Sequence, residues 1–181
     1  MHSLSKYGVP NSKINLDHRL IKNTEDLNLL DGLILPGGES TTITNLLRKH
    51  KNMIDGINRL ASKKPILGSC AGLILMSKDS NDDRVHNFGF LDISTNRNAY
   101  GRQVHSFEAK INVKYEKINS NINSLFIRAP KVNRVDKHVE VLATFNNEIV
   151  AVKQGKHIGL SCHPELLDET LMHEICFKGK K

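Results

Sequence analysis

One cysteine of the sequence lies in a setting that could make it a nucleophile. Cys70 is the centre of the segment GSCAG (68–72), which follows a short apolar run and precedes an apolar helical pattern. This is the cysteine version of the nucleophile elbow, in which glycines permit a tight strand-to-helix turn that exposes the reactive atom. The backbone N–H of Ala71 would then be placed to stabilise an oxyanion. A small buried cysteine in a glycine-rich turn explains the same residues about equally well.

A candidate base and its orienting acid occur together near the C-terminus. A thiol nucleophile needs a base, and that base needs an acceptor that orients it. His163 and Glu165 flank a proline after a predicted strand and could supply both. For these residues alone, an ordinary surface turn is the better interpretation. Cys162 and Cys176 compete as nucleophiles, but neither lies in an elbow, and Cys176 falls on the apolar side of a predicted helix.

A glycine pair earlier in the chain could complete an oxyanion site. The segment PGGESTT (36–42) links a buried strand pattern to a helical pattern. Glycines in such a turn let backbone N–H groups point toward a bound anion. The N–H of Gly38 would be a second oxyanion donor, and Glu39 would bind a substrate ammonium. A plain strand–turn–helix with Ser40 as the helix cap explains the segment equally well.

The elements that must position these residues follow an α/β pattern. Strands are predicted at residues 17–22, 32–36, 65–68, 91–95, 107–113, 125–127, 139–145, 149–153 and 157–161, and helices at 40–49 with an extension to about 61, 71–77 and 166–177. Alternating strands and helices followed by hairpins favour an α/β sheet with parallel central strands and an antiparallel extension. No repeat or linker divides the chain, so a single domain over residues 1–181 is expected.

Composition excludes several classes of protein. The chain has 181 residues, of which 39% are hydrophobic and 25% charged, as is typical of a globular domain. No apolar run approaches the ~18 residues of a membrane span, and the N-terminus lacks the apolar core of a signal peptide. Three cysteines fit no disulfide framework, so a cytoplasmic location is expected.

The charge balance raises one further function. A net charge of +7 is compatible with nucleic-acid binding. The basic residues are scattered, however, and no aromatic residues are interleaved among them for base stacking. They are therefore interpreted as solvated surface, and no nucleic-acid partner is expected.

Taken together, the three segments resemble the triad glutamine amidotransferases, whose Cys-His-Glu site hydrolyses the side-chain amide of glutamine. The motifs PGGEST, GSCAGLI, RNAYGRQVHSFE, FIRAP and HPEL look like one branch, the glutaminase subunit of pyridoxal 5′-phosphate synthase (the PdxT/SNO family). The resemblance covers residues 31–166. It implies a class I glutamine amidotransferase-like, flavodoxin-like fold with a mostly parallel sheet flanked by helices. The glutaminase of imidazole glycerol phosphate synthase would explain the triad, but not FIRAP or RNAYGRQ.

The resemblance implies a role for each motif residue. It makes Cys70 the nucleophile, His163 the base and Glu165 the orienting acid. It places L-glutamine against six residues: Gly37, Gly38, Glu39, Arg97, Ile127 and Arg128. A guanidinium suits the carboxylate of a free amino acid, although structural ion pairs would also explain the two arginines. Released ammonia would pass to a separate synthase subunit, and the amidase chemistry would need neither a metal nor a cofactor.

The chain departs from the family pattern in several places. Family members begin with an apolar strand and a Leu-Gln-Gly turn, but here His2 already matches a residue after that turn. We expect either a true start upstream of Met1 or a degraded gene product. A catalytically impaired, binding-only subunit is therefore the alternative function. Ser69 stands where the family has threonine, His105 where it has aspartate and Cys162 where it has an aromatic residue, and the last helix is short.

Overall fold

The computed structural model describes residues 17–50, 52–97 and 106–178. These residues form a seven-stranded sheet, a three-stranded sheet and four α-helices. The strands are β1 (Leu33–Leu35), β2 (Ile66–Ser69), β3 (Ser77–Asp79), β4 (Leu91–Asn96), β5 (Phe107–Tyr115), β6 (Ile118–Phe126), β7 (Lys131–Val135), β8 (Glu140–Phe145), β9 (Glu148–Gln154) and β10 (His157–Leu160). The helices are α1 (Ser40–Lys49), α2 (Met53–Lys63), α3 (Ala71–Met76) and α4 (Leu171–Phe177). The family departures at His2 and His105 lie outside the described residues.

Three parallel strands form the part of the large sheet that leads into the predicted site. Both β1 and β10 pair with β2 in parallel, so the carboxyl ends of all three strands lie at one edge. The chain leaves these ends through Pro36, Cys70 and Ser161. In α/β sheets, ligands bind beyond the carboxyl ends of the strands. The motif residues should therefore meet at this edge.

The rest of the large sheet is antiparallel. Its strand order is β1-β2-β10-β9-β8-β5-β6, and every pairing from β10 onward is antiparallel. Tight turns dictate this arrangement; Asn146 and Asn147, which join β8 to β9, both have positive φ, as a two-residue hairpin turn requires. The predicted α/β fold with flanking helices is confirmed. The prediction that the sheet is mostly parallel is corrected, because the described sheet is mixed.

The three-stranded sheet is mixed as well. β4 pairs in parallel with β3 and antiparallel with β7. Neither β3 nor β7 was predicted from the sequence.

The middle one of the three parallel strands, β2, is buried on both faces. In β2, Ile66 belongs to one apolar cluster and Leu67 to the other, and both are fully buried. Leu73 of α3 packs in the first cluster, and Met172 of α4 packs in the second. A strand covered by helices on both sides needs apolar side chains in both directions, as β2 has.

Three predicted elements differ from the structure. Residues 17–22 form no strand, because no described strand pairs with them. The helix expected to run from 40 to about 61 is two helices, broken where Asn52 adopts a left-handed conformation. The closing helix expected at 166–177 begins only at Leu171, because Asp168 is left-handed and ends a short 3-10 helix (Pro164–Leu167).

The cap of α1 also differs from the prediction. Glu39 rather than Ser40 caps the helix, and its carboxylate accepts a hydrogen bond from the N–H of Thr42 at 2.6 Å. Ser40 is instead the first residue of the helix and is buried.

Among the helices of the described ranges, none is both long enough and apolar enough to cross a membrane. All three cysteines are buried free thiols.

Candidate active site

The turn after β2 holds Cys70 in a strained backbone conformation. Its φ of 51° and ψ of −104° lie outside the regions that non-glycine residues ordinarily adopt. The N–H of Cys70 donates to the carbonyl of Leu160 at 2.7 Å, which ties the turn to the end of β10. A Cβ on Gly72 would lie 2.0 Å from the carbonyl oxygen of Leu35, so only glycine lets α3 approach β1 this closely. The backbone has the geometry predicted for a nucleophile elbow, and such strain is typical of functional sites. The predicted exposure is corrected, because Cys70 is only 8% exposed.

A buried histidine–carboxylate pair lies beyond the end of β10. Nδ1 of His163 is 2.7 Å from Oε1 of Glu165, and the two side chains are 10% and 5% exposed. The His163 backbone also exchanges two hydrogen bonds with Leu125 of β6, at 2.8 and 3.2 Å. The imidazole is therefore fixed through both its ring and its backbone.

The electrostatic surroundings favour the protonated form of His163. Burial lowers the pKa of an imidazole, but hydrogen bonds with Cys70 and Glu165 oppose this effect and raise the pKa of His163 to about 9. The negative charge of Glu165 acts in the same direction. At neutral pH the ring therefore holds its proton as an imidazolium beside the sulfur of Cys70.

The first glycine of the PGGEST segment lies against both of these residues. A Cβ on Gly37 would be 3.0 Å from Nε2 of His163 and 3.6 Å from Cβ of Cys70. The structure thus brings together Gly37, Cys70 and His163. Gly38 has a φ of +141°, a conformation that side-chain-bearing residues rarely adopt. Ala71 follows Cys70 as the first residue of α3 and is fully buried.

The FIRAP segment borders the thiol on another side. The carbonyl oxygen of Ile127 is 3.8 Å from Sγ of Cys70. Arg128 has a φ of 44° and is exposed. The structure brings Ile127 into the site, whereas the binding role of Arg128 stays a prediction.

Two of the three charged residues predicted to bind substrate, Glu39 and Arg97, are paired with each other. Nη2 of Arg97 donates to Oε1 of Glu39, and Nη1 donates to Oδ2 of Asp82 at 2.5 Å. Oε2 of Glu39 accepts hydrogen bonds from Thr41 and Thr42. These bonds, that of Thr41 foremost, lower the pKa of Glu39 to about 2, so it is an anion at neutral pH. In this structure Arg97 forms the ion pair that the sequence left open.

Sequence reasoning missed Asp82. The only signal was an acidic pair before an arginine, in the segment DDR (82–84), which is too common on protein surfaces to indicate a site.

The other two cysteines lie in environments that suppress nucleophilicity. Burial raises the pKa of Cys162 to about 12, and burial does the same for Cys176. Thiols of this kind are structural rather than reactive. The thiol that interacts with the imidazole of His163 is that of Cys70.

Across residues 17–50, 52–97 and 106–178, no three histidine, cysteine, aspartate or glutamate side chains are grouped so that they could hold a metal ion.

Comparison with known proteins finds similar sequences that cover most of this chain. Residues 3–178 match the model of the SNO glutamine amidotransferase family. The pyridoxal 5′-phosphate synthase subunit PdxT of Oenococcus oeni is 44% identical over 161 residues, which cover 89% of this chain and 83% of that protein. The same subunit of Thermoplasma acidophilum is 44% identical over 174 residues, which cover 96% of this chain and 83% of that protein.

Solved structures show the same fold. A crystal structure of a glutamine amidotransferase has a TM-score of 0.82 at 34% identity and covers 97% of this chain and 88% of its own. A glutamine amidotransferase from Thermotoga maritima has a TM-score of 0.51 at 15% identity, with 82% of this chain and 60% of its own covered, and shows likeness of fold alone. The predicted glutamine amidotransferase-like fold is confirmed.

Proposed function

The chain belongs to the SNO glutamine amidotransferase family, and on that premise we propose that it hydrolyses L-glutamine to L-glutamate and ammonia as the glutaminase subunit of a pyridoxal 5′-phosphate synthase. One observation carries the proposal. A thiol in a strained elbow and a buried histidine–glutamate pair, which are distant in sequence, meet at the carboxyl edge of the parallel strands. This arrangement is suited to acyl transfer through a covalent intermediate.

The first proposed step forms a carbon–sulfur bond. Cys70 gives its proton to His163, which holds it as the imidazolium, and the resulting thiolate attacks the side-chain amide carbon of glutamine while the carbonyl electron pair moves to oxygen. The raised pKa of His163 makes the imidazolium a stable product of this transfer. Glu165 binds Nδ1 of the ring, so Nε2 serves the thiol.

The second step releases ammonia. The tetrahedral intermediate collapses, the carbon–nitrogen bond breaks, and the imidazolium of His163 gives its proton to the leaving nitrogen. A γ-glutamyl thioester then remains on Cys70. Water attacks this thioester with His163 as base, which releases glutamate and restores the thiol.

Two backbone N–H groups are proposed to stabilise the oxyanion. Ala71 is the first residue of α3, and N–H groups in the first turn of a helix have no intrahelical acceptor. Gly38 contributes the second donor. The residue before it, Gly37, lies against the ring of His163. Donors on the two sides of the nucleophile would hold the developing negative charge between them.

Glutamine is proposed to bind between Glu39 and Arg97 and to replace the ion pair that these two residues form with each other. Free glutamine carries one ammonium and one carboxylate, so the ammonium matches Glu39 and the carboxylate matches Arg97. Both charges of the protein pair are thereby satisfied by the substrate. Ile127 and Gly37 would line the path of the substrate side chain toward Cys70, and Arg128 would add a second contact to the carboxylate.

The partner is proposed to be the synthase subunit of the same enzyme. The similar proteins of Oenococcus oeni and Thermoplasma acidophilum are named as subunits of pyridoxal 5′-phosphate synthase. Ammonia made at Cys70 would pass to that subunit, which joins it with a pentose phosphate and a triose phosphate. The chemistry proposed for this subunit uses its own side chains and no cofactor.

Isotope transfer tests this function. The chain, the synthase subunit and its two sugar phosphates are supplied with glutamine whose amide nitrogen is isotopically labelled. The label is expected in pyridoxal 5′-phosphate when the chain is present, even with unlabelled ammonium in solution. Pyridoxal 5′-phosphate that carries only the unlabelled nitrogen would overturn the proposal.

A further inference from the structure

Arg97 is held by two separate carboxylates. Its Nη2 donates to Glu39, and its Nη1 donates to Oδ2 of Asp82 at 2.5 Å. A planar guanidinium bound through both terminal nitrogens is fixed in orientation as well as in position. The side chains of Arg97 and Asp82 are 20% and 14% exposed, so water screens this contact far less than an open surface pair.

Asp82 is itself held from another side. Arg84 donates to it through Nε and Nη2, both at 2.9 Å, and through its backbone N–H at 3.1 Å. These hydrogen bonds, the side-chain bonds first, keep the pKa of the Asp82 carboxyl well below its usual range. Asp82 is therefore an anion in a defined place at any pH near neutrality.

We propose that Asp82 is a positioning residue that keeps the guanidinium of Arg97 in place while glutamine binds. The inference rests on the proposed function, in which the ammonium of glutamine takes over Glu39. Arg97 then loses its bond to Glu39. Among the described contacts of Arg97, the bond to Asp82 remains. Without Asp82, the substrate would have to order the arginine itself, which costs affinity.

The charge balance of this group suits a zwitterionic substrate. Glu39 and Asp82 supply two negative charges, and Arg84 and Arg97 supply two positive charges. Glutamine adds one charge of each sign, so binding leaves no excess charge in a partly buried site. A carboxylate at position 82 thus orients Arg97 without leaving the pocket cationic.

The test measures glutamine affinity apart from turnover. The chain with Cys70→Ala is assembled with the synthase subunit, and binding of L-glutamine is measured by calorimetry with and without Asp82→Ala. We expect Asp82→Ala to raise the dissociation constant roughly tenfold, the effect of losing one charge-assisted hydrogen bond. Asp82→Asn retains an acceptor oxygen, so it should recover part of this loss. Asp83→Ala removes the same charge from the exposed neighbouring residue and should leave affinity unchanged.

Two further arms separate positioning from a general structural effect. 4-Aminobutanamide, which is glutamine without its carboxylate, should bind equally well with and without Asp82→Ala. In a chain that already carries Arg97→Ala, Asp82→Ala should weaken glutamine binding no further. In the chain with an intact Cys70, Asp82→Ala should raise KM roughly tenfold and leave kcat within about twofold.

The outcomes distinguish the two proposals. If glutamine binds and Asp82→Ala leaves its affinity unchanged, or weakens it equally without Arg97, the role of Asp82 is refuted and the proposed function stands. If the assembled Cys70→Ala chain binds no glutamine at all, the proposed function itself fails.

Discussion

Gly37 and His163 are packed so closely that a Cβ on Gly37 would lie 2.4 Å from Cε1 of the imidazole. The ring has little freedom to move away, because Glu165 holds its Nδ1 and Leu125 holds its backbone. The segment after β1 therefore sets one face of the catalytic histidine proposed above. Glycine is required at position 37 for space alone, since its φ is not in the left-handed region.

The first prediction concerns this contact. Gly37→Ala should displace the imidazole by a fraction of an ångström or more and lower kcat for glutamine hydrolysis roughly a hundredfold. Steady-state kinetics with the synthase subunit present would measure this effect. Gly155→Ala is the control, because a Cβ there meets nothing within 4 Å although its φ of +55° is strained. Equal kcat values for the two variants would contradict the packing argument.

The second prediction concerns pH. Glu165→Gln keeps an acceptor near Nδ1 of His163 but removes the negative charge that stabilises the imidazolium. The pKa of His163 should then fall from about 9 toward its ordinary value of 6.5. Because the imidazolium protonates the leaving nitrogen, activity declines as pH rises through this pKa. The alkaline limb of the kcat/KM profile should therefore move to lower pH in the variant.

Glu169→Gln is the control for the pH experiment. The carboxylate of Glu169 accepts a hydrogen bond from the backbone of Asn123 at 2.9 Å, and the substitution makes the same chemical change close by. The pH profile of Glu169→Gln should match that of the unaltered chain. Titration of the ammonium group of glutamine affects the unaltered chain and both variants alike, so it cannot produce a difference between them. An alkaline limb that stays in place in Glu165→Gln would show that Glu165 does not set the protonation of His163.

The third prediction concerns thiol reactivity. Burial raises the pKa of Cys162 and of Cys176 to about 12, so at pH 7 both are thiols with little nucleophilicity. Iodoacetamide should therefore modify Cys70 alone and abolish glutaminase activity in proportion. Peptide mass spectrometry after partial modification measures the site. Inactivation that follows modification of Cys162 would be evidence against the elbow cysteine as nucleophile.

The fourth prediction concerns stability. A Cβ on Gly72 would lie 2.0 Å from the carbonyl oxygen of Leu35, and backbone cannot yield as a flexible side chain can. Gly72→Ala should lower the free energy of unfolding by about 3 kcal/mol or more, because α3 must move off β1. Denaturant unfolding measures the loss. Gly155→Ala, which strains only its own backbone, should cost about 1 kcal/mol, and similar losses for both variants would argue against the close α3–β1 contact.

The parts of the site that were predicted from sequence are local. The turn at Cys70 is specified by its neighbours, since Gly68 and Gly72 flank it and apolar runs lie on both sides. The His163–Glu165 pair is likewise a contact between residues two positions apart. Such short-range relations appear directly in a sequence as spacing and residue type.

The parts that were missed depend on contacts between distant segments. The bond between Asp82 and Arg97 and the ladder between Leu125 and His163 join residues whose own sequence neighbourhoods contain no sign of the partner. β6 was predicted only at its C-terminal end, because INSNINS places asparagine and serine at many of its positions and looks polar. The cap of α1 was missed because Glu39, predicted to bind substrate, also accepts the N–H of Thr42.

The central claim is that Cys70, activated by His163, cleaves the side-chain amide of glutamine. Its most direct test is the rate at which the chain, assembled with the synthase subunit, forms glutamate from L-glutamine. The same rate is measured for Cys70→Ala and for the control Cys176→Ala, which removes a different buried thiol. The account predicts turnover by the unaltered chain and by Cys176→Ala, and none above background by Cys70→Ala. Turnover that survives in Cys70→Ala contradicts the account. So does an unaltered chain that binds the synthase subunit but forms no glutamate, as expected of a binding-only subunit.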